Sequence, residues 1–261
     1  MTGETRTPPA SAAGTARMPV ETPFAIAGWS GAISRDTVWN EHSHPFHELL
    51  WNERGVSTAV VGRRVWTVTP VLGLWMPAGT PHSGSAIAGT RCHADYLGFG
   101  GMPSILQAPV AVEITPLLRL LLERLADTGL SAGSRAVTGA MVLDVLTPSA
   151  RELLVHLPVS DLLRPIVDAV RSDPGDQRTL VDWASRLAVS DRTITRAFNA
   201  ETGTSFGRWV AAVRAQHAIE LLGRGRGIEV VAEEVGYRSA SAFSAAFRRT
   251  TGLTPGAFRA R

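Results

Sequence analysis

Three histidines and a glutamate fall within seven residues of each other in the stretch HSHPFHELLWNERG: His42, His44, His47 and Glu48. Imidazole nitrogens and carboxylate oxygens ligate zinc, iron, manganese and nickel at roughly 2 Å. The same groups can instead hydrogen-bond a small organic effector, or simply fill an interior. Side chains alternate along a strand, so His42, His44 and Glu48 share a parity and can face one interior, while His47 has the other parity and points away. A further donor stands in PAGTPH, where His82 follows a proline–glycine turn. His42, His44, Glu48 and His82 are therefore the candidate pocket, for a divalent transition metal or an effector. Trp51, Trp75 and His93 are either pocket companions or core residues, with core the commoner role for such aromatics, and Cys92 is a soft ligand, a redox group or, as lone cysteines usually are, neither.

Such a set needs a rigid frame, and the surrounding sequence is rich in strand signals. From about Glu21 to Gly101 short apolar runs alternate with glycines and prolines, and VSTAVVGRRVWTV reads as a hairpin turning at Gly62-Arg63. Strands at this spacing make a small barrel or sandwich. From about Thr115 the period changes to helical. TPLLRLLLERLADTG carries an apolar stripe through Leu117, Leu121 and Leu125, and SRAVTGAMVLDVLTPSARELL reads as further helix interrupted near Pro148. DLLRPIVDAVRSDPGD is another helix, closed by Pro174-Gly175.

The chain has 261 residues, 44% hydrophobic and 19% charged, the balance of a globular protein with one or two domains. Its single cysteine excludes an internal disulfide framework and suits the cytoplasm. No apolar run is long enough for a membrane span, and residues 1–20 read as a disordered tail rather than a signal peptide. The net charge of +3 is unevenly spread: residues 1–177 hold 13 arginines against 16 acids, and residues 178–261 hold 13 against 7. A basic last third points to an anionic partner.

That last third contains one design twice. In TLVDWASRLAVSDRTITRAFNAETG an amphipathic helix ends at Ala188-Val189, and a second helix is capped by Ser190. In IEVVAEEVGYRSASAFSAAFRRTTG the turn is at Gly236 and the cap is Ser239. Each reads as a helix-turn-helix whose second helix can enter a major groove. The copies lie roughly 48 residues apart and are joined by one longer helix, TSFGRWVAAVRAQHAIELLG.

Here the residues resemble a known family. From Thr179 to Arg259, Ala184, Ser190, Arg192, Arg196, Phe198, Gly203, Trp209, Arg214, Ala218, Ile228, Ala232, Gly236-Tyr237, Ser241, Phe243, Phe247, Gly252 and Thr254-Pro255 match the DNA-binding domain of the AraC family of bacterial transcription regulators. His42, His44, Glu48 and Gly55, then Pro77, Gly79 and His82, resemble the two cupin motifs. The glycine that usually precedes the first motif and the asparagine that ends the second are absent.

The resemblance implies an α+β chain of two domains: an N-terminal cupin-like β-barrel (21–110), a helical connector that can mediate dimerisation (111–177), and a C-terminal all-α double helix-turn-helix (178–261). It also implies double-stranded promoter DNA as a partner, a contact to RNA polymerase and a homodimer. On the first reading helix, Arg192, Thr193 and Arg196 face outward, and arginine can pair bidentately with guanine or contact phosphate alone. On the second, Ala245 stands where many relatives carry arginine. We therefore expect the first helix to carry most discrimination, and the second to anchor through Arg238, Ser239, Ser241 and Arg248. The competing expectation is a metal-dependent cupin enzyme, an isomerase or dioxygenase, with a helical appendage.

Overall fold

The computed structural model describes residues 24–99 and 107–258. The expected tail, residues 1–20, and Arg259 lie outside them. Packing divides the chain into two units: the part up to Val61 with Thr67–Glu152, and Gly62–Trp66 with Leu153 onward.

The first unit is built on β1 (Phe24–Ala32), β2 (Thr37–His42), β3 (His47–Arg54), β4 (Ser57–Val61), the last two residues of β5 (Arg64–Val68), β6 (Leu72–Met76), β7 (His82–Ala86), β8 (Arg91–Phe99) and β9 (Val110–Glu113). One antiparallel sheet has the order β1-β8-β3-β6-β9; in the other, β5-β4-β7-β2 are successive neighbours. The hairpin from β4 to β5 turns at Gly62, whose φ of 57° suits the first position of a two-residue loop. The expected barrel is thus made of two sheets.

Register decides what faces what. Glu48 lies opposite Tyr96 and Met76, whereas Leu49 lies opposite Asp95 and Trp75, and Trp51 opposite His93. Successive residues point to opposite faces. The face bearing Leu49, Trp51, Trp75 and Leu97 is covered by α1 (Pro116–Leu125) and α2 (Ala132–Val145), through Leu118, Leu121, Leu122, Leu125 and Val142. Helix α1 starts where Thr115 accepts a hydrogen bond from the Leu118 amide at 3.1 Å, with Pro116 at the first helical position. Its buried stripe is rotated from the expected one: Leu118 replaces Leu117, which is 49% exposed. At 3.6 residues per turn, positions 118, 121, 122 and 125 form one narrow face, and 117 falls at its edge.

Past Pro148 the expected helix does not resume. Ser149 donates its amide to Ala111 O, and Leu154–His156 instead forms a short strand, β10. This strand belongs to the second unit, where it pairs antiparallel with Arg64–Trp66.

The rest of the second unit is helical: α3 (Arg164–Ser172), α4 (Leu180–Arg186), α5 (Asp191–Thr202), α6 (Phe206–Gly223), α7 (Ile228–Glu234) and α8 (Ala240–Thr251). Thr179 and Asp182 form a reciprocal capping box at the start of α4. Helices α3 to α6 share a core of Ile166, Val170, Trp183, Ile194, Phe198 and Trp209, and the Trp209 indole donates to His156 O at 2.7 Å. The second motif closes around Tyr237, Phe243, Phe247 and Phe258, whose rings touch in sequence.

Candidate functional site

The histidines converge, but not along one strand. His42 ends β2, His44 lies in the following loop, and Glu48 is the second residue of β3. The shared-parity argument therefore does not apply across this stretch, because parity holds only within a continuous strand. His42 is instead the cross-strand partner of His82 on β7, beyond an irregularity that starts at Trp39. The loop holding His44 is tied to the proline–glycine turn by a hydrogen bond from Gly79 N to His44 O at 2.7 Å. Gly79, with φ of 75°, makes that turn possible.

In the result, ring nitrogens of His42, His44 and His82 lie within 4.8 Å of one another. Tetrahedral bonds of about 2.1 Å would separate donors by roughly 3.4 Å, so modest closure of the rings would suffice. Two second contacts suit ligation. His42 Nδ1 sits 2.7 Å from Asn40 O, and His82 Nδ1 sits 3.0 Å from Thr80 O. A ring that donates from Nδ1 to a carbonyl keeps its Nε2 lone pair free. Burial and the neighbouring rings lower the His44 pKa to about 4, and burial also lowers that of His82, so both rings are neutral near pH 7. The residues present therefore fit a divalent transition metal, and equally an organic ligand needing nitrogen acceptors.

Glu48 takes a different part. Its Oε2 is 3.2 Å from His82 Nε2, and its Oε1 is 3.9 Å from His44 Nε2. The closer approach is not aligned as a hydrogen bond, which leaves Oε2 a buried oxygen without a partner. Burial and then Asp95 push the Glu48 pKa up to about 8, so the carboxyl is mostly protonated at neutral pH. It borders the three histidines as a neutral acid.

The expected companions lie elsewhere. Trp51, Trp75 and His93 occupy the helix-covered face of the sheet, opposite to Glu48. There His93 stacks on Trp51 at 3.9 Å, and the Trp51 indole donates to Asp95 Oδ2 at 2.7 Å. Cys92 packs with Ile33 and Ala86, and burial pushes its thiol up to about 12, away from thiolate chemistry. The residue sequence reasoning missed is Tyr96, whose ring is 4.9 Å from that of His44. The register that sets Tyr96 opposite Glu48 was the signal, and it requires knowing which strands pair.

The second candidate site is the outer surface of α5 and α8. Arg192, Thr193 and Arg196 on α5 are all exposed, as are Arg238, Ser239, Ser241, Ala245 and Arg248 around α8. Two of these hydroxyls already have work in the fold. Ser239 caps α8 by accepting from Ala242 N at 3.1 Å, and the Thr193 hydroxyl lies 2.8 Å from that of Ser190, the cap of α5. Phe243, Phe247 and Trp209 are buried.

Known proteins carry the same two parts. Residues 30–143 match the family described as AraC-like ligand binding domain, and residues 183–261 match the helix-turn-helix domain. The chain is 29% identical over 228 residues to the HTH-type transcriptional regulator NimR of Escherichia coli (strain K12), covering 84% of this chain and 82% of that one. It is 30% identical over 217 residues to the HTH-type transcriptional regulator RipA of Corynebacterium glutamicum, covering 80% of this chain but only 61% of that protein. Both relatives are named as transcription regulators, which favours the regulator over the isomerase or dioxygenase expectation. No described helix is long and apolar enough to cross a membrane. With a ligand-binding domain of this type ahead of a paired helix-turn-helix, the chain belongs to the AraC family of DNA-binding transcription regulators.

Proposed function

We propose that this regulator senses a small effector or a divalent transition metal at His42, His44, Glu48 and His82, and reads its operator mainly through α5. The observation that carries the sensing half is the convergence of three histidine rings from separate segments beside a buried, protonated carboxyl. A cluster this polar is costly to bury without a ligand or a network to satisfy it. The ligand acts by binding one arrangement of the chain better than another, since only differential affinity shifts an equilibrium.

A thermal-shift titration with zinc, iron(II), manganese and nickel, repeated in His42→Ala, tests this half. A rise with one metal that the variant loses supports the metal reading. No rise with any metal turns the search to organic effectors.

For DNA, exposure supports Arg192 and Arg196 as base readers and Thr193 as a neighbouring contact. Arg238, Ser239, Ser241 and Arg248 serve the backbone, and Ala245 offers only its methyl group, to thymine. A homodimer forms through the connector region, residues 111–177, where Leu117, Leu120, Val137 and Met141 are exposed apolar side chains. Sedimentation showing only monomer at micromolar concentration, with and without DNA, would count against the dimer.

A further inference from the structure

A cleft of about 320 Å³ opens within the second unit, bounded by the hairpin tip at Gly62-Arg63, the segment after β10, and α3. Leu157, Val159 and Val167 give it apolar walls, and Arg63, Arg164 and Arg171 supply guanidinium groups. Arg164 and Arg171 stand seven residues apart, two turns along one side of α3. We propose that this cleft binds a small organic anion, a phosphate or carboxylate carried on an aryl or alkyl body. It would be a second effector site, made of residues other than the histidine pocket and resting on none of its chemistry.

Charge is the first argument. Three arginines border one hollow against a single lining carboxylate, Asp168. The Arg171 guanidinium has no ion pair or hydrogen bond among the described residues. Arg164 is paired with Asp161 at 2.8 Å, but both side chains are largely exposed, and such pairs hold little energy. Arg63 lies in the field of Glu201, whose carboxylate is already taken by the amides of Val159, at 2.7 Å, and Ser160, at 3.1 Å. Arg164 is moreover the first residue of α3, at the positive end of a helix dipole, where a cation is disfavoured and an anion is stabilised.

Shape is the second argument. The volume falls at the lower end of small-ligand pockets, which run from about 300 to 1,000 Å³. Val159 is 61% exposed beside these arginines, an apolar surface that an aryl or alkyl group would cover. An apolar floor with a few convergent charged groups is what fixes the orientation of a small ligand.

The cleft is also wired to the first reading helix. Val167 is both a wall of the cleft and part of the core that holds Ile194 and Phe198 of α5. Glu201, in the last turn of α5, holds the Val159-Ser160 rim. An anion seated here would therefore bear on α5 through packing and through Glu201.

The test is calorimetric titration of the full chain with phenyl phosphate, and separately with inorganic phosphate and phenol. Phenyl phosphate should bind with a Kd of about 1 mM or tighter, and more tightly than either fragment. Arg171→Ala and Arg63→Ala should each weaken it by about tenfold, and Arg171→Lys by less. His42→Ala should leave it unchanged, which keeps this result separate from the histidine pocket. Absence of binding, or binding that survives both alanine variants, overturns the proposal. So does a third result: no phenyl phosphate binding, with Arg171→Ala weakening all duplexes equally, which would assign these arginines to DNA phosphate.

Discussion

The two helix-turn-helix motifs repeat each other in construction and differ in what they present. Each reading helix starts at a capping serine, Ser190 or Ser239, and stops at a left-handed glycine, Gly203 with φ of 70° or Gly252 with φ of 73°. Each buries a threonine in its last turn, Thr202 or Thr251, whose hydroxyl donates to the carbonyl four residues back, on Phe198 or Phe247. At an offset of 49 residues, however, Arg192 becomes Ser241 and Arg196 becomes Ala245. Framework positions are held to one solution by packing and backbone geometry. The exposed face is free of that demand, so it can diverge towards reading on one helix and anchoring on the other.

The cores give the largest effects. Phe198→Ala and Phe247→Ala should each cost about 3–5 kcal/mol, because both rings are buried against other aromatics. Hydrogen exchange on each variant should locate the loss in its own motif. Loss spread evenly over both would show that the two are one cooperative unit.

Next come the bases. Arg196→Ala should cost about 1–3 kcal/mol on the cognate operator and little on random duplex, measured by fluorescence anisotropy at fixed salt. Equal loss on both DNAs would reassign Arg196 to phosphate and end the proposed division between the helices. Changing Ala245 to serine should leave discrimination almost intact.

The turns of the two motifs differ as well. Gly236, with φ of 80°, has Gly175 O only 2.8 Å from where a Cβ would sit, so Gly236→Ala should cost about 2 kcal/mol in chemical denaturation. The first motif places Ala188 at its turn with φ of 53°. Relief of that strain makes Ala188→Gly stabilising by roughly 1 kcal/mol or less, since glycine also loosens the unfolded chain. At the caps, Ser190→Ala and Ser239→Ala should each cost about 1 kcal/mol, by similar amounts if the caps are equivalent.

The DNA-binding half was legible because its signals are local. A serine cap, a turn residue, a helical apolar period and a stopping glycine lie within some 25 residues, and each acts through its own backbone. The sensing half was legible in membership but not in route. His42, His44, Glu48 and His82 do lie together, yet a loop carries His44 and a cross-strand pairing brings in His82, so the convergence does not follow from the single-strand parity that pointed to it. For Trp51, Trp75 and His93 residue type alone left both a pocket and a core role open. The register puts them on the helix-covered face, where they serve packing and a Trp51–Asp95 hydrogen bond.

By itself the sequence determined the family, the two kinds of domain, the caps and turns of both motifs, and which residues could supply ligands. Those properties depend on side-chain chemistry and on backbone preferences spanning a few residues. Tertiary packing alone makes Glu48 a buried acid beside three histidines, sets Tyr96 next to them, and brings Arg63 of the hairpin to the same cleft as Arg164 and Arg171 of α3. Strand pairing and burial bring residues together across long separations, and no local pattern records which partners will meet.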